Sequence, residues 1–125
     1  MRFVGRRSKT GTAKVYVERP NGIWASAVTE TTNLPARQDL VNHSPDGLEW
    51  GYTGSGPAQL ALAMLVYALT EVGYRDPEAA ALAHYQSFKF QVIAKLPRAG
   101  FRLPLDEVVR WFSSSPQQKI AATGQ

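Results

Sequence analysis

Between Ala58 and Thr70 the chain offers almost no polar side. A helix that is apolar on nearly every face cannot lie on a surface, so this one is expected to be buried at the centre of the fold. Its start is marked by Gly56 as N-cap and by Pro57 at the first helical position, where a missing N–H costs nothing. Gly73 stands where a C-cap glycine belongs. The apolar run Leu60 to Leu69 is too short to span a bilayer.

The residues before this helix read as strands. Arg2 to Arg7 and Ala13 to Arg19 form a hairpin, because Val15 and Val17 alternate with Lys14, Tyr16 and Glu18 at a period of two. Ser8 to Thr12 turns between them. Pro20-Asn21-Gly22 reads as a second turn and Ile23 to Val28 as a third strand. Thr29 to Asp39 reads as a loop and Leu48 to Tyr52 as a short fourth strand. After the central helix, Asp76 caps a second one running to about Leu96, with Leu82, Tyr85, Lys89, Val92 and Leu96 near one stripe. Phe101 to Leu103 is a short strand or linker, and Pro104 to Phe112 a third helix. The expectation is one α+β domain over residues 1–112, a small antiparallel N-terminal sheet with two or three helices packed on it, and a polar tail over 113–125.

A chain of 125 residues with 44% apolar side chains suits one domain with one core. It has no cysteine, which suits a reducing cytosol, and shows no signal peptide, so a cytoplasmic place without a membrane partner is expected. The net charge of +4 favours anionic partners of any kind; nucleic acid is possible among them but not favoured.

The segment Gly51 to Ala58 invites two phosphate-binding readings. Gly51 and Gly56 bracket four residues as in a Walker A loop, but Pro57 and Ala58 stand where Lys and Ser or Thr are needed. Gly54-Ser55-Gly56 opens a dinucleotide fingerprint, but Gln59 replaces its third glycine. What survives is a helix start with exposed amides, able to attract an anion, set against a plain tight turn into a helix. His43, Ser44 and Asp46 have the types of a hydrolase triad but lie too close along the chain to converge as one. Hydrogen bonds to the backbone of the Pro-Asp-Gly turn are the better reading of His43 and Asp46, and a helix-surface or partly buried place that of His84. His43, Asp46 and Glu49 make a poor metal set. No catalytic set, cofactor or metal is expected.

Trp50 and Tyr52 alternate on the expected fourth strand and so share a face, with Trp24 on another strand. Aromatics become base-stacking platforms only when exposed beside positive charge. One basic group is Arg2, Arg6, Arg7, Lys9 and Lys14 on the first hairpin, evenly balanced between a ligand surface and a solvated face. Another is Lys89, Lys95, Arg98 and Arg102 around the end of the long helix.

Asn42 to Gly47, Glu49-Trp50-Gly51-Tyr52 and Gly54 to Ala63 closely resemble the family DUF6166, common in phages and other mobile elements. Tyr85-Gln86, Phe88-Lys89, Ile93 to Pro97 and Trp111 extend the likeness over nearly the whole chain, with Leu48 in place of phenylalanine and Thr53 in place of glycine. These sequences are also similar to phage sponge proteins that defeat Thoeris defence by holding a cyclic ADP-ribose-type signal without cleaving it. That resemblance implies a non-catalytic anti-defence protein, a homo-oligomer that sequesters a small phosphorylated nucleotide, either a cyclic ADP-ribose-type signal or a cyclic oligonucleotide. The alternatives are a protein-directed inhibitor of a host defence complex, of the anti-CRISPR kind, and a nucleotide-processing enzyme.

On chemistry alone, Arg37, Lys89, Arg102 and Arg110 are the expected phosphate contacts, Phe88 the stacking face, and Gly54, Ser55 and Gly56 the anion loop. Tyr74, Phe90 and Trp111 are the expected subunit interface.

Overall fold

A computed structural model describes residues 1–21 and 28–114. Four strands form one antiparallel sheet: β1 (Arg2–Arg7), β2 (Ala13–Asn21), β3 (Val28–Asn33) and β4 (Gly100–Pro104), in the order β3-β2-β1-β4. Three helices complete the described chain: α1 (Ser55–Glu71), α2 (Pro77–Gln91) and α3 (Leu105–Ser114). A single small α+β domain is thus observed, and none of the described helices is long and apolar enough to cross a membrane.

The central helix is where its composition demands. Leu60, Leu62, Met64, Leu65 and Leu69 of α1 are wholly buried. The first four share one core with Phe3, Val15, Val17, Phe101 and Leu103 of the sheet and with Ala81, Tyr85 and Phe88 of α2. Each such side chain taken from water stabilises the fold by roughly 1.5–3 kcal/mol before entropy is subtracted. The cap lies two residues earlier than expected. Gly54 is the N-cap and Pro57 the third helical residue, which still tolerates proline because the first N–H groups of a helix have no partner inside it. Gly73, at φ 74, follows the end of the helix as expected.

The strands depart from expectation in three places. β2 continues through Pro20 and Asn21 instead of turning there. The third strand is Val28–Asn33, most of it within the stretch read as a loop; Ile23 to Ala27, like Gly22 and Trp24, lies outside the described residues. Its polar, threonine-rich sequence suits an edge strand, which pairs by backbone while Glu30 to Asn33 are exposed. Leu48 to Tyr52 is no strand. Gly51 takes φ 86 and reverses the chain, so Trp50 and Tyr52 part company: Trp50 is buried and Tyr52 is 40% exposed. The fourth strand is β4, which supplies the alternation instead.

α2 ends at Gln91 rather than near Leu96. Val92 leaves helical geometry, a single 3-10 turn covers Ile93–Lys95, and the Ile93 carbonyl is freed to accept the Gly51 N–H at 3.0 Å. The buried stripe of α2 runs through Ala81, Tyr85 and Phe88, whereas Leu82 faces out. α3 includes Ser113 and Ser114, two residues of the expected tail; the rest of that tail lies outside the described residues.

Candidate functional site

Strand alternation divides the sheet into a face that meets the helices and a face on which no helix packs among the described residues. Phe3 and Arg7, Val15 and Val17, Phe101 and Leu103 point to the helices. The opposite face carries Arg2, Val4 and Arg6 from β1, Lys14, Tyr16 and Glu18 from β2, and Arg102 from β4. On that face four cations therefore stand against one carboxylate among the described residues. Arg6 lies directly across from Lys14, a like-charge opposition that weakens a strand pair unless something screens it.

The screening within the protein is partial. Glu18, only 8% exposed, accepts Arg2 Nε at 2.7 Å and Arg6 Nη2 at the longer 3.4 Å. The Arg6 guanidinium also lies 5.9 Å from the Tyr16 ring centre. Neither Lys14 nor Arg102 has an ion-pair partner among the described residues. Two grooves flank Arg6. One, about 520 Å³, lies on the β2 side between Arg6, Arg7, Lys14 and Tyr16, with the hydroxyls of Ser8 and Thr12 at its end. The other, about 540 Å³, lies on the β4 side among Val4, Arg6, Leu96, Pro97, Phe101 and Arg102. Both sizes fall within the range of small-ligand sites.

Arg7 lines the first groove but is engaged elsewhere. Its guanidinium holds Glu49, donates to the Arg98 carbonyl at 2.8 Å, and sits 4.6 Å from the Trp50 ring centre. The hydrogen bonds from Arg7, reinforced by its charge, keep the Glu49 carboxyl below its ordinary value. The Trp50 ring meets Phe101 edge-on at 5.0 Å, and its Nε1–H donates to the Pro97 carbonyl at 2.8 Å.

Of the residues expected to bind a ligand, Arg102 alone reaches this face. Arg37 sits at φ 57 beside Ala63, Val66 and Tyr67 of α1, with its fork on Asp39 and its Nη2 also on Glu78. Arg110 pairs with Asp106 one helical turn back. Lys89 Nζ lies 4.2 Å from the Phe90 ring centre. Phe88 is wholly buried against Trp111, ring centres 4.9 Å apart, so it is a core residue with no face to offer a base.

Gly54, Ser55 and Gly56 form the start of α1, and their smallness has a packing cause. A Cβ on Gly56 would lie 2.6 Å from Glu49 Cβ, and one on Gly54 2.7 Å from the Tyr52 ring. The Gly56 carbonyl accepts the Glu49 N–H at 3.3 Å. The loop is thus the place where the segment Glu49 to Tyr52 presses onto the helix. Of the expected interface residues, Phe90 is 54% exposed, Tyr74 packs edge-on against Phe112, and half-buried Trp111 donates to Gln91 Oε1 at 2.9 Å.

Each histidine is held by a hydrogen bond within the described residues. His43 Nε2 shares a 2.7 Å hydrogen bond with the Tyr85 hydroxyl rather than with its own turn. His84 Nδ1 meets the Ala80 carbonyl at 2.9 Å and its ring packs on Phe112. Among the described residues no three His, Asp or Glu side chains gather closely enough to hold a metal ion.

Arg2, Arg6, Lys14 and Tyr16 were visible as part of a basic hairpin. The period-two pattern alone would place them on one face, but Arg7 breaks the grouping by pointing inward. No curated protein and no solved structure matches the chain. The model of DUF6166, a family of unknown function, matches residues 3–114, a span that holds Arg6, Lys14, Tyr16 and Arg102 together with the whole helical core, and the chain belongs to that family.

Proposed function

We propose that the protein captures a small phosphorylated nucleotide on the open face of its sheet and holds it without reacting on it. The observation that carries this reading is the opposition of Arg6 and Lys14, with Arg2 and Arg102 beside them and Glu18 as the single counter-charge on that face among the described residues. Phosphate oxygens would relieve that repulsion, because guanidinium and ammonium groups donate charged hydrogen bonds to them. Tyr16, half-buried next to Arg6, gives a planar surface on which a base can stack. The described titratable residues of this face are cations, a tyrosine and the ion-paired Glu18, a set that suits holding an anion more than proton transfer. The role we propose for such retention is sequestration of a nucleotide signal against a host defence, in line with the resemblance to phage sponge proteins. A second copy would close the shallow grooves over the ligand, so a homo-oligomer belongs to the same proposal.

The test is calorimetry with cyclic mono-, di- and trinucleotides and ADP-ribose isomers, followed by heating and analysis of what is released. One member of the panel should bind and be recovered intact. Arg6→Ala or Lys14→Ala should each cost about 1.5–3 kcal/mol of binding, roughly ten- to a hundredfold, without lowering the melting temperature, since each also removes a like-charge opposition. No binding across the panel, or recovery of a cleaved product, ends the reading.

A further inference from the structure

We infer that the ligand is a two-part molecule, with its halves joined through phosphate and the phosphate seated over Arg6. This rests on the phosphate-binding reading of the open face and specifies what kind of phosphate compound fits there. Arg6 is the one side chain with a charged head that lines both grooves. It projects from β1, which has β2 on one side and β4 on the other, so it forms a ridge between two spaces of nearly equal size, about 520 and 540 Å³. Each space has an apolar wall suited to a nucleoside: the Tyr16 ring on the β2 side, Leu96 and Pro97 on the β4 side. Each also has a second cation set back from the ridge, Lys14 on one side and Arg102 on the other. A mononucleotide fills one groove and leaves the other to water. A phosphodiester- or diphosphate-bridged dinucleotide fills both and places its bridge where Arg6 stands.

Arg6 is free to take that bridge. Its bond to Glu18 is long, 3.4 Å, and its side chain is 61% exposed. Glu18 is nearly buried and needs a cation, but Arg2 supplies one at 2.7 Å. Arg6 can therefore exchange carboxylate for phosphate without leaving a buried charge unpaired. Arg2 is in this sense a positioning residue: it holds Glu18 so that Arg6 is available.

The experiment compares diadenosine diphosphate, AMP and inorganic phosphate by calorimetry on the full chain, with the variants Arg6→Ala, Arg2→Ala and Glu18→Gln. The bridged compound should bind at least a hundredfold more tightly than AMP, and Arg6→Ala should erase that advantage. Glu18→Gln, which releases Arg6, should tighten the bridged compound severalfold, while Arg2→Ala should weaken it by making Glu18 compete for Arg6. Melting temperatures identify any variant that loses its fold, and Glu18→Gln carries the test if Arg2→Ala does. Equal affinity for AMP and the bridged compound, with Arg6→Ala weakening both alike, overturns the two-part ligand and leaves the phosphate site standing. Failure of all three compounds to bind overturns both.

Discussion

Arg7 grips Glu49 with both prongs of its guanidinium, Nη2 to Oε1 at 2.8 Å and Nη1 to Oε2 at 2.9 Å. The pair ties the end of β1 to the segment that presses on α1, and it is largely withdrawn from water. Removing one partner strands the other, so Arg7→Ala should destabilise the fold by about 1–3 kcal/mol. Its pH dependence has a definite sign. Arg7 lowers the Glu49 carboxyl below the ordinary glutamate value of 4.5 in the folded state, so the pair's contribution is present above that value. It is lost as pH falls through the lower folded value. Denaturant melts from neutral pH to about pH 3 should show Arg7→Ala losing less stability on acidification than the parent protein. Equal acid sensitivity would show that the pair does not titrate with folding.

Gln59 is wholly buried in α1 and uses its amide in full. Its Nε2 donates to the carbonyls of Ala36 at 2.7 Å and Val41 at 3.0 Å, and its Oε1 accepts the N–H groups of His43 at 2.8 Å and Ser44 at 3.3 Å. It pins the loop from Ala36 to Ser44 onto the central helix. Gln59→Leu keeps the volume but leaves those backbone groups without partners, at a cost of roughly 3 kcal/mol or more. Gln59→Glu keeps the acceptor and loses both donors, so it should be no milder. Amide exchange should show early opening at His43 and Ser44 in Gln59→Leu, which removes the acceptor of both N–H groups.

Leu62 and Leu65 are fully buried on α1. A carboxylate at either place has no partner and costs several kcal/mol, comparable to the whole stability of a domain this size. Leu62→Asp and Leu65→Asp should lose cooperative melting by circular dichroism. Leu82→Asp, on the exposed side of α2, should melt with the parent.

Gly56→Ala should destabilise more than Gly11→Ala in spite of its helical position. A methyl group on Gly56 collides with the Glu49 side chain at 2.6 Å, whereas the space around Gly11 is open and only its φ of 90 is strained. Alanine in a helix interior is ordinarily favoured over glycine by about 1 kcal/mol, so a loss at Gly56 reports the collision alone. A stabilised Gly56→Ala would mean that Glu49 moves aside freely.

The core of this fold is legible where side-chain period and burial agree. The apolar helix, the basic hairpin and the capping glycine after Leu69 follow from residue type and spacing. β3 is hidden because an edge strand needs no apolar face, and its threonines read as loop. Trp50 and Tyr52 mislead because Gly51 reverses the chain between them, a backbone fact that period-two counting ignores. The site is obscured for a related reason. Arg37 and Arg110 look available as letters, but each is engaged by carboxylates, Asp39 and Glu78 for one and Asp106 for the other. Arg6 and Lys14 become distinctive only when register sets them opposite each other. Gln59 looks like a missing glycine until its four backbone partners are seen.

Along β2, Lys14 and Tyr16 face outward while Val15 and Val17 face the core. Neighbours in the chain thus answer to different demands. A change at Lys14 or Tyr16 leaves the packing of Val15 and Val17 untouched, so one ribbon carries two records that can be rewritten separately. Substitutions can accumulate at every second position of β1, β2 and β4, while the intervening positions go on preserving the architecture.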